Sequence, residues 1–537
     1  MSEGRQVDAV VVGAGFAGLY MLHRLRGAGF TAQGFEVGDG VGGTWYWNRY
    51  PGARCDVESL EYSYSFDDDL QQEWEWTERY ASQPEILRYL EHVADRYDLR
   101  RDIQFTTRVT SATFDDEDAR WTVETDQGDT LSARYVITAM GCLSSANFPQ
   151  IPGLDSFQGE VFHTGRWPHE GVDFTGKRVG VIGTGSSGIQ SIPIIAAQAA
   201  HLTVFQRTPN YSVPARNAPL DPDEQRAVKE RYRELRANNL LSPTGFGSRL
   251  PVPEHLALDV DEETRRKEFE ARWERGGFGF LGSFLDLTLD KRANDTAAAF
   301  VRDKIADIVR DPDVAAMLSP TQVIGCKRLC IDTDYFDTFN RPNVRLVDIS
   351  GAPIEAITPT GIRANGEDHE LDCIVFATGF DAMTGSLLRV DIRGRDGATL
   401  RDEWHAGPRT YLGLGVPKFP NLFIITGPGS PSVLTNMVVS IEQHVDWITT
   451  CIERLRADEV QTIEADEHAA DEWVAYVNSI ADLTLFPTCN SWYLGANVPG
   501  KPRVFMPLLG FPPYVEKCNE VAAKGYEGFA LATKGAS

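Results

Sequence analysis

Six glycines in two matching sets point most directly to chemistry. Gly13, Gly15 and Gly18 in GAGFAG, and Gly183, Gly185 and Gly188 in GTGSSG, each follow a short apolar run. Glycine at those three positions permits a tight turn, lets the backbone approach a pyrophosphate and lets the next helix lie close to the strand, its N-terminus facing the phosphates. The first loop encloses Phe16 and Ala17, and its unit runs on through TAQGFE to Glu36, a carboxylate able to accept hydrogen bonds from a ribose. The second, GTGSSGIQ, adds Thr184, Ser186, Ser187, Ile189 and Gln190, and its unit ends in HLTVFQRT. There Arg207 and Thr208 stand where an NAD site has its acid, and a guanidinium with a hydroxyl suits a 2′-phosphate. Two dinucleotide units in one chain suggest a flavoprotein, with FAD on the first and NADPH delivering hydride from the second.

The elements that must position these loops come from the rest of the chain. Its 537 residues exceed one typical core and suggest two to four domains or subdomains. Val7–Val12 reads as the first strand, broken in polarity only by Asp8, and Val179–Ile182 as its counterpart. YVITAMG (135–141) would close the first pass through the FAD domain, CIVFATGF (373–380) the NADP domain, and FPNLFIITGPGSP (419–431) a return to the FAD domain. Between them DPDEQRAVKERYRELRANN, EETRRKEFEARWERGG and NDTAAAFVRDKIADIVRD are helical by propensity or spacing. The expected fold is α/β, with two Rossmann-like dinucleotide-binding domains and a helical insertion in the second. The expected segments are 1–141 (FAD domain), 142–220 (linker and NADP domain), 221–330 (insertion), 331–380 (NADP domain) and 381–537 (FAD domain, with a mobile loop near 487–505).

Composition excludes several classes. With 77 acidic against 52 basic side chains, the formal charge of -25 argues against a nucleic-acid or anionic-membrane surface. No apolar run reaches the roughly 18 residues of a membrane span, and MSEGRQVDAVVVGAG lacks a signal-peptide pattern, so the expected location is the cytoplasm. The eight cysteines (55, 142, 326, 330, 373, 451, 489, 518) show no CxxC spacing; buried reduced thiols and no metal site are expected.

The stretch FQGEVFHTGRWPHE (157–170) lies between the two glycine loops and carries Phe157, Gly159, His163, Trp167 and Pro168 in the pattern F-x-G-x-x-x-H-x-x-x-W-P. This resembles the fingerprint of type I Baeyer–Villiger monooxygenases, flavoproteins that insert one oxygen atom beside a ketone carbonyl. GGTWYWNRYPGARCD (42–56) and NSWYLGANVPGKPRVF (490–505) are similar to two further signatures of that family. The resemblance covers almost the full sequence and is least at 221–260; it is greatest to the phenylacetone, steroid and cyclohexanone branch. His163 and Trp167 read as packing between domains rather than as catalytic groups.

The resemblance implies roles for particular residues. In VIGCKRLC, Lys327 matches the residue that helps hold the 2′-phosphate of NADP, and Arg328 the catalytic arginine beside the flavin, with Asp56 its orienting partner. Arginine suits a site that must stabilise an anionic flavin C4a-peroxide, because it stays protonated near neutral pH. Trp492 matches a residue that closes over NADP. Gly43, Thr44, Trp45, Tyr46, Trp47, Arg54, Asp56, Tyr62, Val109 and Met437 fall on the cofactor site, and Leu434, Met437 and Phe505 on the substrate pocket. Their apolar character suits a ketone, with molecular oxygen as co-substrate. Two other readings are a flavin oxygenase acting on sulfides or amines, and a redox-sensing protein that binds both nucleotides without turnover. A disulfide reductase is disfavoured because no CxxC follows the first loop.

Overall fold

A computed structural model of the chain describes residues 5–495, 498, 500, 501, 503, 506 and 510–533. Ala9, Val10, Val11 and Val12 are buried on both faces of the strand Arg5–Val12, as a central parallel strand requires. On one side of it run Ala32–Phe35 and Ile103–Gln104, on the other Thr130–Thr138, all parallel. Thr130–Thr138 changes partner along its length. Its first half pairs with the antiparallel ribbon Val109–Asp115 and Arg120–Thr125, and its second half with Leu422–Ile424, which returns from late in the sequence.

The second sheet has five parallel strands in the order Val344–Asp348, His201–Gln206, Arg178–Ile182, Cys373–Phe376 and Glu160–His163. In both sheets the chain leaves the central strand toward one side, while the strand on the other side comes from much later. The crevice at the carboxyl ends of those two neighbours is where such sheets bind nucleotides.

The segment 157–170 is more than a connector, because Glu160–His163 is itself the edge strand of the second sheet. His163 is 2% exposed and sits where the two interdomain crossings run side by side. Its Nδ1 accepts from the Gly165 amide at 2.9 Å, which leaves the proton on Nε2, facing the Asn147 carbonyl at 3.3 Å. Thr378 Oγ1 on the return crossing donates to the same carbonyl at 2.6 Å. The crossings are also laced by backbone bonds, Asn147 N to Gly379 O, Asp381 N to Ser145 O and Met383 N to Cys142 O. Trp167 is buried against Phe162 and Phe174, inside the second domain's core.

The insertion is helical where propensity indicates, with one break. Pro222–Lys229 and Tyr232–Leu240 are separate helices, while Glu262–Arg275 and Lys291–Ile308 start on the side-chain caps of Asp261 and Asp290. Phe269, Trp273, Phe280 and Phe300 lock the last two together. The chain then re-enters the second domain through Cys330–Asp332, a strand paired in parallel with Ser212–Pro214.

The cysteines correct one expectation. Six are free and buried, but Cys326 and Cys489, 163 residues apart in sequence, form a disulfide. Spacing rules that look for near neighbours do not detect a pair brought together only by the fold.

Burial lowers the His163 pKa from 6.5 to about 4, the Asn147 hydrogen bond opposing and Arg166 adding to the shift. The unfolded chain therefore takes up a proton between about pH 6.5 and pH 4 that the folded chain refuses. Stability is full above that window and falls as pH drops through it, by up to about 3 kcal/mol from this group. His163→Gln should lower the melting temperature at pH 7.5 and flatten its decline between pH 6.5 and 4, read by flavin fluorescence on heating. The remaining slope belongs to groups such as His444, which burial alone lowers to about 3.

Candidate active site

Both glycine loops open into one cavity of about 1750 Å³. That exceeds the roughly 300–1,000 Å³ of a single small-ligand site and leaves room for two dinucleotides. The loops are near copies in conformation. Gly13 and Gly183 adopt φ of +107° and +109°, where a side chain would be strained and a Cβ would press on the Ala139 and Ala377 carbonyls. Each loop leads into a helix, Phe16–Gly27 or Ser186–Gln198, whose start is capped by no side chain. Its first N–H groups thus remain available to an anion. Gly18 and Gly188 do not line the cavity. A Cβ on either would overlap the carbonyl of Gly13 or Gly183, so they set how close helix and strand approach.

Around the first loop the cavity is lined by Gly13, Gly15, Phe16, Ala17, Glu36, Gly43, Thr44, Trp45 and Trp47, and further along by Arg54, Asp56, Tyr62, Val109 and Met437. Glu36 accepts from the Ala14 and Gly38 amides at 2.9 Å each; burial raises its pKa, and those bonds oppose the rise. Tyr46 turns away. Its ring lies against Gly38 and Gly40 and its hydroxyl bonds Asp39, so it braces the turn after Glu36 from behind.

Around the second loop lie Gly183, Thr184, Gly185, Ser186, Ser187, Gln190, Arg207, Thr208 and Lys327. Ile189, 1% exposed, is instead core. The Lys327 pKa is lowered by burial and then by the nearby Arg207 charge, and neither cation has a carboxylate partner among the described residues. Two unpaired cations at the end of a nucleotide strand fit a phosphate dianion. Gln190 also joins the domains, since its Oε1 accepts from the Tyr50 hydroxyl at 2.8 Å and its Nε2 donates to the Arg54 carbonyl at 3.2 Å.

Arg328 stands between the clefts, two residues before the strand Cys330–Asp332. Nε and Nη2 donate to the two Asp56 carboxylate oxygens at 2.7 and 2.8 Å, a fork-to-fork pair, and Nη1 donates to the Val433 carbonyl at 2.9 Å. The Phe278 ring covers one face, 4.9 Å from the guanidinium carbon. The Tyr493 hydroxyl lies near enough to the guanidinium to act on its charge. Burial works against the charge, but Asp56 and Tyr493 outweigh it and hold the pKa well above its usual value. The side chain fronts the cavity and is 22% exposed.

Tyr493 and Phe278 were not singled out by sequence. Tyr493 follows Trp492 in a quoted signature, so proximity was the signal that existed; nothing in the FGF triplet of the insertion marks Phe278. Trp492 lines the cavity with its ring 4.4 Å from that of Tyr493. Leu434 does not line it, packing instead in an apolar cluster with Cys142, Val433, Tyr493 and Met506. Phe505 and part of the signature around it lie outside the described residues.

Residues 10–241 match a family model described as pyridine nucleotide-disulphide oxidoreductase. The Baeyer–Villiger monooxygenase of Pseudooceanicola batsensis is 45% identical over 528 residues, which are 97% of this chain and 96% of that one. The chain belongs to the Baeyer–Villiger monooxygenases. This family member is also 43% identical to the phenazine N-monooxygenase PhzNO1 of Lysobacter antibioticus, covering 98% of this chain and 97% of that one. In space it resembles an oxidized steroid monooxygenase bound to NADP, at 55% identity and TM-score 0.93 over 98% of this chain and 99% of that chain.

The unpaired cations give a selective prediction. Arg207→Ala should raise the Michaelis constant for NADPH about ten-fold or more, the loss of one charge-assisted hydrogen bond, and leave that for NADH nearly unchanged. Steady-state kinetics with the two coenzymes measures it.

Proposed function

We infer that the protein is an NADPH- and oxygen-dependent flavoprotein monooxygenase that inserts one oxygen atom beside a ketone carbonyl to give an ester or lactone. FAD belongs to the first loop and NADPH to the second. One observation carries the reading: the Arg328 guanidinium, kept charged by Asp56, fronts the cavity shared by both loops. When bound, the flavin takes hydride from NADPH and activates oxygen as a nucleophile toward the ketone carbon.

The side chains do the remaining work. Arg328 supplies fixed positive charge where negative charge develops, and Asp56 keeps its fork from turning, so little reorganisation is needed during reaction. Lys327 and Arg207 hold the 2′-phosphate. Trp492, Val433 and Met437 keep water from the reacting atoms and accept an apolar ketone. Among the described residues no group of His, Cys, Asp and Glu could hold a metal ion, and no helix is long and apolar enough to cross a membrane. The acidic composition and six free thiols support a cytoplasmic location.

The relative that oxidises a phenazine nitrogen supports a second reading, oxygenation of a heteroatom. That chemistry needs no anionic oxygen, so a fixed guanidinium favours the ketone. Paired ketones and sulfides, followed by mass spectrometry for products heavier by one oxygen, should give ester or lactone, with NADPH and oxygen consumed equally. Only sulfoxide or N-oxide would overturn the first reading.

Arg328→Ala should retain FAD yet lose at least about 100-fold in ester formation, NADPH oxidation then running into hydrogen peroxide. Ester formation at an undiminished rate would remove Arg328 from its role.

A further inference from the structure

Cys326 immediately precedes Lys327 and Arg328, and Cys489 lies three residues before Trp492 and four before Tyr493. Their disulfide, with Cα atoms 6.1 Å apart, fastens the segment carrying Trp492 and Tyr493 to the loop carrying the two cations. The same segments meet again where Tyr493 packs in one apolar cluster with Val433, whose carbonyl accepts from Arg328. The two loops are therefore joined covalently and, through Val433, by packing that bears on the guanidinium. The sulfurs differ in access. Cys326 is 1% exposed, while Cys489 is half-buried and borders the exposed Thr488 and Asn490.

We propose that Cys326–Cys489 is a redox-labile clamp that holds Tyr493 against Val433 beside Arg328 and Trp492 at the cavity wall, so that a dithiol reductant turns coupled oxygenation down. A thiolate of the reductant attacks the accessible Cys489 sulfur; the S–S bond breaks and Cys326 leaves as a thiolate in sequence contact with two cations, then takes a proton. The second thiol of the reductant attacks the mixed disulfide and releases Cys489. Two electrons and two protons pass to the protein, and the reductant becomes a disulfide. A clamp of this kind fits a reducing compartment, where disulfides that persist serve sensing more often than stability. The proposal rests on the monooxygenase reading for its functional consequence, whereas the bond itself and the binding of NADP+ can be tested without any ketone.

The test compares purified holoenzyme after mild oxidation with the same protein treated with dithiothreitol. Thiols titrated after denaturation should number six and eight in the two forms. Reduction should weaken NADP+ binding about five-fold and raise the peroxide released per NADPH, with turnover at saturating NADPH less affected, and reoxidation should restore both. Cys489→Ser and Cys326→Ser should behave as the reduced protein in either condition. Tyr493→Phe should keep the thiol count but leak peroxide in both states. Eight thiols in the oxidised protein, or identical NADP+ binding and peroxide release in the two forms, would overturn the clamp; a Tyr493→Phe protein whose leak still responds to reductant would overturn its route through Arg328. If no ketone is oxidised while NADP+ binding still responds to reductant, the clamp stands and the ketone reading falls.

Discussion

A guanidinium withdrawn from bulk water between two nucleotide clefts needs a carboxylate in register, and here that carboxylate comes from 272 residues earlier in the chain. Arg328 and Asp56 meet only when the loop after the first glycine unit, the insertion and the re-entry strand Cys330–Asp332 are all in place. Removing one partner leaves the other charge without its counter-ion in a partly buried site. The pair is thus both a chemical group and a check that the domains have assembled. Its neighbours divide the tasks. Val433 supplies a carbonyl, Phe278 a ring face and Tyr493 a nearby hydroxyl, each from a different part of the chain.

The second constraint is the pair of glycine loops. Their matched φ values and matched overlaps with Ala139 and Ala377 indicate one backbone solution used twice. What distinguishes the two sites is the charge at the end of the next strand, Glu36 in one and Arg207 in the other. On a repeated frame, an acid there suits a ribose hydroxyl and a cation a 2′-phosphate.

Much of this was legible in the sequence because strand, glycine turn, helix and terminal residue are local in the chain. Gly13, Gly183, Glu36, Arg207 and the KR pair are read from spacing or resemblance, and the fold brings them to one cavity. Local spacing does not show which way a side chain turns. Tyr46 and Ile189 sit within the right motifs and face away, since adjacent residues on a helix or turn point to different sides. Long-range pairings were illegible for the same reason. The Cys326–Cys489 bond and the Phe278 contact depend on the folded insertion, and the edge-strand character of Glu160–His163 depends on Cys373–Phe376, more than 200 residues later.

The hydrogen-bonded crossings between the sheets limit how the two halves can move. A single strand of chain would let one half swing freely about any axis. Two crossings zipped through Asn147, Gly379, Ser145 and Asp381 behave as a ribbon, supple in flexure across its flat face and stiff within its plane. With His163 clipped to the Asn147 carbonyl and beside Thr378, the ribbon has a fixed root on the second sheet. Those backbone bonds thereby narrow the ways in which one sheet could shift against the other.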